Sequence, residues 1–325
     1  MEFGCSIELV DMHFCGPNTH HMLTKSYWDE LYKLISAAGF RGIELPCNPY
    51  NFELARSGVP VNPYVMISKY GGHKEYLAFL DGQGIDEVVS AHVSASDVAT
   101  LMKFTGAPYP LFFEMFKGLA RESLEFARQI GANGLVVSPT PEIGMLLDLM
   151  GGVGIDECTA QYLPQITGLI DEIGAEAAQH GIQVAVRNEF WGLLRGTGIE
   201  DLLSKTDAKN VLFSPDLAQL AIAGADPEEL IRKYAGRIAF VHFSDTWYVD
   251  EWDNYLSKSP ETPVAGAQRV YCDLGDGRID VPACHRALRE TGYEGWVHCG
   301  SKSTLNVYRA LLKLRWYLDN VIAKS

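Results

Sequence analysis

The sequence predicts an α/β chain closed into a single (β/α)8 TIM barrel over residues 1–325. Three observations predict it. Short β-prone runs alternate with helical segments along the whole chain, the pattern that gives parallel strands joined by right-handed crossovers. Glycines recur between the end of a helix and the next strand, at Gly39, Gly131, Gly181, Gly236 and Gly292. No Pro/Ser-rich linker divides the chain, and 325 residues suit one such barrel.

Each element has its own signal. Phe3–Val10 alternates and is the first strand, followed by a polar segment, Asp11–His21, with His13 and the pair His20 and His21. Ser26–Ala38 has helical spacing, with Trp28, Leu31, Leu34 and Ile35 on one face. Arg41–Leu45 is the second strand and precedes a long loop rich in Pro, Gly and Tyr. Val88–His92 is the third, after which AHVSAS turns away. Pro110–Ile130 is an amphipathic helix, and Gly134–Ser138 is the fourth strand, leading through Pro139 and Pro141 into a Met- and Gly-rich loop. Cys158–His180 is a long helix and Ile182–Glu189 the fifth strand. Val211–Phe213, Ile238–Phe243 and Gly295–His298 complete the eight. Further helices lie around Leu202 and over Asp226–Tyr234, Val281–Thr291 and Thr304–Ile322.

Bulk properties narrow the class. A net charge of −14 argues against nucleic-acid or anionic-membrane partners, which need clustered Lys and Arg. Seven cysteines without a close CxxC pair read as reduced thiols rather than a disulfide framework or structural zinc site. The N-terminus lacks a signal-peptide pattern, and no apolar run approaches ~18 residues. A cytoplasmic protein is expected. GxGxxG after the first strand, GxxxxGK[ST] and GxSxG are all absent.

Barrel chemistry gathers at the C-terminal ends of the strands. That rim collects His92, Glu142, Glu189, Asp216, His242 and His298. The stretch from Val211 to Asp245 is the core of the pattern: one strand delivers Asp216, a helix crosses over, and the next strand delivers His242. Carboxylates and imidazoles facing one point suit a divalent cation in a mixed O/N site, namely Mn2+, Fe2+, Co2+ or Zn2+. Structural roles compete. Asp216 can cap the helix after it, His242 can be a packed core histidine, and Glu189 can pair with Arg187 or Arg195. Lys302, just past the eighth strand, is placed to hold an anionic oxygen or form a Schiff base, although surface lysine is the commoner case. The segment Asp273–Asp280 reads as a turn that introduces the helix after it.

Two blocks, LAIAGADPEELIRKYAGRIAFVHFSD from Leu220 and LGDGRIDVP from Leu274 with GYEGW from Gly292, resemble the xylose-isomerase-like barrels that include sugar-phosphate isomerases and epimerases and inosose dehydratase. That resemblance implies a metal held by Glu, Asp, His and Glu from four successive strands. Asp216 and His242 match the second and third positions. Arg187 stands nearest the first, with Glu189 displaced from it, and HCGSK from His298 stands where the last Glu is usual. Gln219 replaces a His often found after the strand-six Asp. The combination RNEFWG from Arg187 with WVHCGSKS from Trp296 is similar to the α subunits of bacterial C-glycoside deglycosidases. The narrower resemblance implies a Mn2+-dependent carbon–carbon lyase acting on 3-oxo-C-glycosides, working as an oligomer with a small β subunit. Its expected ligands are Glu189, Asp216, His242 and His298. Glu142 is the expected base, with His92 and Lys302 as further acid, base or oxygen-binding groups, and Phe190, Trp191, Trp247 and Tyr248 line an apolar aglycone pocket. A sugar isomerase or 3-epimerase is the alternative enzyme, and a non-catalytic barrel subunit the alternative of another kind.

Overall fold

The computed structural model describes residues 1–10, 20–48, 62–262 and 269–325, with the side chains of His20 and His21 left aside. His13 and most of the polar segment after the first strand lie outside these residues. Eight parallel strands run in the order β6-β5-β4-β3-β2-β1-β8-β7. They are β1 (Glu2–Ser6), β2 (Gly42–Pro46), β3 (Glu87–Ser94), β4 (Gly134–Ser138), β5 (Gln183–Arg187), β6 (Val211–Ser214), β7 (Phe240–Phe243) and β8 (Trp296–Cys299). Single parallel bridges, Phe213 to Ile238 and Asp216 to His242, join β6 to β7 and close the ring. The barrel expected from the alternation is therefore the observed one.

Helices cover the outside: α1 (Lys25–Ala37), α2 (His73–Gly82), α3 (Ala95–Thr105), α4 (Phe112–Gln129), α5 (Ile143–Leu149), α6 (Ile155–Ala178), α7 (Gly198–Lys205), α8 (Leu217–Ile222), α9 (Pro227–Lys233), α10 (Val281–Glu290) and α11 (Val307–Asn320). Their apolar faces join the strands in one large core that includes Trp28, Tyr32, Phe112, Phe116, Tyr162 and Phe213. Among the described residues no helix is long and apolar enough to cross a membrane.

Three local expectations are corrected. The first strand stops at Ser6, and Ile7–Leu9 forms a 3-10 turn that lifts Glu8 onto the barrel mouth. β3 runs on through His92 to Ser94, which caps α3 by accepting a hydrogen bond from Ser96 N, so the stretch expected to turn away is strand and then helix. The Met- and Gly-rich stretch after β4 holds α5 rather than a loop.

Inside the barrel the side chains form layers. The lowest is apolar, with Val89, Val136, Ala185, Ala239 and Phe240 packed against Leu212 and Trp296. Phe240 and Trp296 are wide, and the opposite strands give way to them. A Cβ on Gly134 would lie 2.2 Å from Phe240 Cζ, and one on Gly42 would lie 2.6 Å from Trp296 Cη2. Above this plug the interior turns polar. Ser6 pairs in register with Glu44, Glu44 with Ser90, Arg187 with Ser214 and His242 with His298.

Candidate active site at the barrel mouth

Glu44 anchors the lower polar layer. It is 1% exposed and accepts from three donors: Ser6 Oγ at 3.2 Å, Ser90 Oγ at 3.0 Å and His242 Nε2 at 2.9 Å. Burial alone would raise its pKa, but the imidazoles of His242 and His298 outweigh that and hold it far below the carboxylate range. These bonds fix the histidine tautomers. Since Glu44 Oε1 can only accept, His242 Nε2 carries a proton, and Nδ1 pairs with Ser214 Oγ at 3.2 Å. Since Ser90 gives its proton to Glu44, His298 Nε2 donates to Ser90 Oγ at 3.0 Å. His298 Nδ1 is then a bare acceptor, buried and without a partner. It lies beside β1, 3.4 Å from where a Cβ on Gly4 would stand. Burial pushes His298 down to about 4, with Glu44 only partly offsetting it.

The upper layer is a charge network. Arg187, at the end of β5 and 2% exposed, grips Glu8 with two hydrogen bonds, Nη1 to Oε2 at 2.8 Å and Nη2 to Oε1 at 2.9 Å. It also donates to Glu189 Oε1 from Nε at 3.1 Å and from Nη2 at 2.9 Å. Ser138 Oγ donates to the same oxygen at 2.7 Å, and Gln219 Nε2 donates to Glu189 Oε2. Burial works to raise both acids. At Glu8 the charges of Arg187, Lys302 and His92 outweigh it, and at Glu189 those of Lys302 and Arg187 do, so both sit below the usual range. The Arg187–Glu189 pair that competed with metal ligation is thus present.

Lys302 is no surface lysine. Its chain is 9% exposed, and the loop after β8 is stitched to the Glu8 turn by Ser303 N to Glu8 O at 2.9 Å and Thr304 N to Leu9 O at 2.8 Å. Ser303 takes a left-handed φ of 47°, a strained backbone of the kind that clusters at functional sites. The ammonium stands 3.7 Å from Glu8, 3.7 Å from Glu189 and 3.8 Å from Asp216. The rings of Trp191 and Tyr271 flank it at 5.7 and 5.4 Å. Burial and Arg187 press its pKa down, yet the three carboxylates win and raise it, so it is charged.

Asp216 takes the helix-capping role that was weighed against metal ligation. Its Oδ1 caps α8 by accepting from Gln219 N at 3.2 Å, and it also takes the Ser244 hydroxyl proton. Its Oδ2 is buried with no hydrogen-bond partner.

Two spaces open among these groups. The mouth cavity, about 150 Å3, is lined by His92, Glu142, Arg187, Glu189, Trp191 and Lys302 among others. Beneath it a void of about 10 Å3, close to the room one water needs, is lined by Asp216, His242, His298 and Lys302 among others. On the mouth side Glu142 Oε2 and Trp191 Nε1 are buried without partners. Burial raises the Glu142 pKa above its ordinary value. His92 Nε2 faces Ser138 Oγ at 3.0 Å and its Nδ1 lies 3.3 Å from Glu8. Burial and then Arg187 lower its pKa below the ordinary histidine value, with Glu8 opposing them.

The structure therefore brings all seven expected site residues to one end of the barrel. It does not give the four expected ligands the arrangement of a metal shell. Both oxygens of Glu189 are taken, both ring nitrogens of His242 are taken, and the free nitrogen of His298 lies beside β1. Only Asp216 Oδ2 is open. Among the described residues no group of three or more His, Cys, Asp or Glu side chains is arranged to hold a metal ion. As these side chains stand, they do not fit one.

Of the aromatics expected around an aglycone, Trp191 lines the mouth. Phe190 and Tyr248 are packed in an apolar cluster beside it, and Trp247 is 67% exposed. Glu8 and Glu44 were missed by sequence reasoning. Glu44 had a signal, a charged residue between Ile43 and Leu45 in a β-prone run. The Asp273–Asp280 turn is structural: Asp245 accepts from the amides of Gly275, Gly277 and Ile279, and Asp280 caps α10.

A family model for xylose isomerase-like TIM barrels matches residues 32–317. The chain belongs to the xylose isomerase-like TIM barrels. Inosose dehydratase of Lacticaseibacillus casei is 29% identical over 161 residues, 47% of this chain and 52% of that protein, so the chain spans about half the length of this curated relative. The probable 3-DHS dehydratase AsbF of Bacillus anthracis superposes with a TM-score of 0.69 at 15% identity, covering 99% of this chain and 100% of that one. IOLI protein, solved with a zinc atom bound, superposes with a TM-score of 0.65 at 14% identity, covering 100% of this chain and 99% of that one. At such identities the structural likenesses speak for the fold.

Proposed function

We propose that this barrel is an enzyme that removes the proton next to the carbonyl of a small polyhydroxylated ketone and drives a β-elimination. The observation that carries this reading is Glu142. Its buried oxygen lacks a partner, its pKa is raised by burial, and it shares one cavity with the Lys302 ammonium. A carboxylate with a raised pKa is a stronger base, matched to carbon-bound protons that are weakly acidic. A cation beside the carbonyl oxygen stabilises the enolate that forms when the proton leaves. The Trp191 indole N–H supplies a further donor to a bound oxygen.

With a 3-oxo-C-glycoside the balance is simple. Glu142 takes the C2 proton, the C2 electron pair becomes the C1–C2 double bond, and the C1–aglycone bond breaks. The aglycone carbon leaves with its electrons and accepts a proton. The resemblance of RNEFWG and WVHCGSKS to C-glycoside deglycosidase α subunits favours this leaving group, and with it a small β subunit as partner. A second reading, loss of water from the β carbon, is favoured by the relatives named as dehydratases. A neighbour of the same fold was solved with zinc bound, which speaks for a divalent cation without selecting the Mn2+ expected from the sequence. In this chain such a cation would need Asp216 Oδ2, together with His242 freed from Glu44 and Lys302 withdrawn.

The test is to incubate the protein with 3-oxo-C-glycosides, inososes and free ketoses in D2O and follow product release and deuterium uptake. Release of free aglycone supports carbon–carbon cleavage, and an unsaturated ketone with loss of water supports dehydration. Deuterated substrate or its epimer without elimination would replace both with an epimerase.

A further inference from the structure

Three carboxylates facing one point make a cation site, and this mouth has filled it from its own chain. Glu8, Glu189 and Asp216 come from the β1 turn, the end of β5 and the end of β6, and they surround one ammonium at 3.7–3.8 Å. The spacing is that of ion pairs without closed hydrogen bonds, so the three N–H donors of Lys302 retain capacity for an incoming oxygen. A divalent ion would need oxygens at ~2.0–2.2 Å in the same space and would meet the ammonium and the Arg187 guanidinium at close range. The remaining side chains are arranged consistently. Arg187 ties Glu8 and Glu189 together, Gln219 holds the other oxygen of Glu189, and Glu44 occupies His242. The bare oxygen of Asp216 borders the small void beneath Lys302.

The geometry points to Lys302 as the resident cation of this site, which binds and polarises the carbonyl oxygen of the substrate without a bound divalent metal. This rests on the elimination reading for what the cation does, but not for its presence.

Metal binding tests the inference apart from activity. Protein purified without chelator is quantified for transition metals, then titrated with Co2+ while its visible spectrum and Tm are followed. The same is done for Lys302→Met, which leaves the three carboxylates uncompensated. The expected result is wild-type protein with well below one equivalent of metal and no Tm shift. Lys302→Met should develop a Co2+ absorption band and an upward Tm shift, both lost on adding Asp216→Ala. One equivalent of tightly held metal in the wild type overturns the inference, as does folded Lys302→Met that gains no Co2+ affinity. Should Lys302→Met fail to fold, the wild-type measurement decides alone. If the metal result holds while no ketone is turned over, the elimination reading falls and the resident cation stands.

Discussion

His242 Nε2 lies 2.9 Å from Glu44 Oε1, a hydrogen bond that crosses the barrel from β7 to β2. It commits the imidazole that the sequence offered as a metal ligand to an acid that sequence reasoning passed over. Glu44 is also the hub for Ser6 and Ser90. Removing one member of such a buried charged set leaves the others uncompensated, at a cost of about 3–5 kcal/mol. Glu44→Ala is therefore expected to lower stability by that amount in urea or thermal unfolding. Glu44→Gln, which keeps acceptor capacity for His242, should lose distinctly less, and equal losses would contradict the hub role.

Arg187 and Glu8 should be coupled. The guanidinium makes a two-bond contact with Glu8 and a second contact with Glu189, all at the mouth. Residues in one such network show interaction energies of about 0.5–3 kcal/mol in double-mutant cycles. Glu8 is one-fifth exposed, so solvent screening places its share at the lower end. Arg187→Met and Glu8→Gln are expected to destabilise separately, and the double variant should lose less than the two losses added. Simple additivity in the unfolding free energies would show that the contact carries no net coupling.

The barrel was legible because its signals are local: alternation along strands, and the glycines Gly39, Gly131, Gly181 and Gly292 at positive φ after helices. Asp216, His242 and Lys302 were legible for the same reason, since each follows directly from a strand end. What they face was not. Glu8 reaches the mouth only because β1 stops at Ser6, short of the expected Val10, and nothing in MEFGCSIELV distinguishes the Ile7–Leu9 turn from further strand. Glu44 was readable as a charge on a buried strand, but its partners lie 38 to 198 residues away. The Arg187 pairing was weighed and is present, whereas the tautomers that decide whether His298 can bind a metal depend on Ser90, a residue with no signal of its own.

The apolar floor gives a separate test of the fold. Gly134 sits in β4 where an added methyl would lie 2.2 Å from Phe240 Cζ and 3.3 Å from the Gln183 carbonyl. A ring inside a packed barrel has little freedom to retreat, and overpacking of this kind costs about 1–3 kcal/mol. Gly134→Ala should lower Tm, and Phe240→Leu in the same chain should recover part of the loss. An unchanged Tm for Gly134→Ala would mean that the floor is looser than the ring contacts imply.

Glu142 should trade stability for activity. Its pKa is raised, chiefly by burial, so in the folded state it holds its proton more tightly than in the unfolded chain. The sign follows from linkage: the stability tied to this proton is present below the unfolded carboxylate value, near 4.3, and is lost as pH rises through the higher folded value. At neutral pH the buried charge is a cost. Glu142→Gln removes it and keeps the shape, so its unfolding free energy at pH 7 should equal or exceed that of the wild type. The difference should shrink as pH falls towards 4. Elimination should fall by ~10²–10⁴, the usual contribution of a positioned general base. In the wild type, kcat/KM should rise with pH along a limb whose midpoint lies above the ordinary glutamate value, and that limb should be missing from the residual activity of Glu142→Gln. A variant that keeps full activity with an unchanged pH profile would remove Glu142 from the reaction.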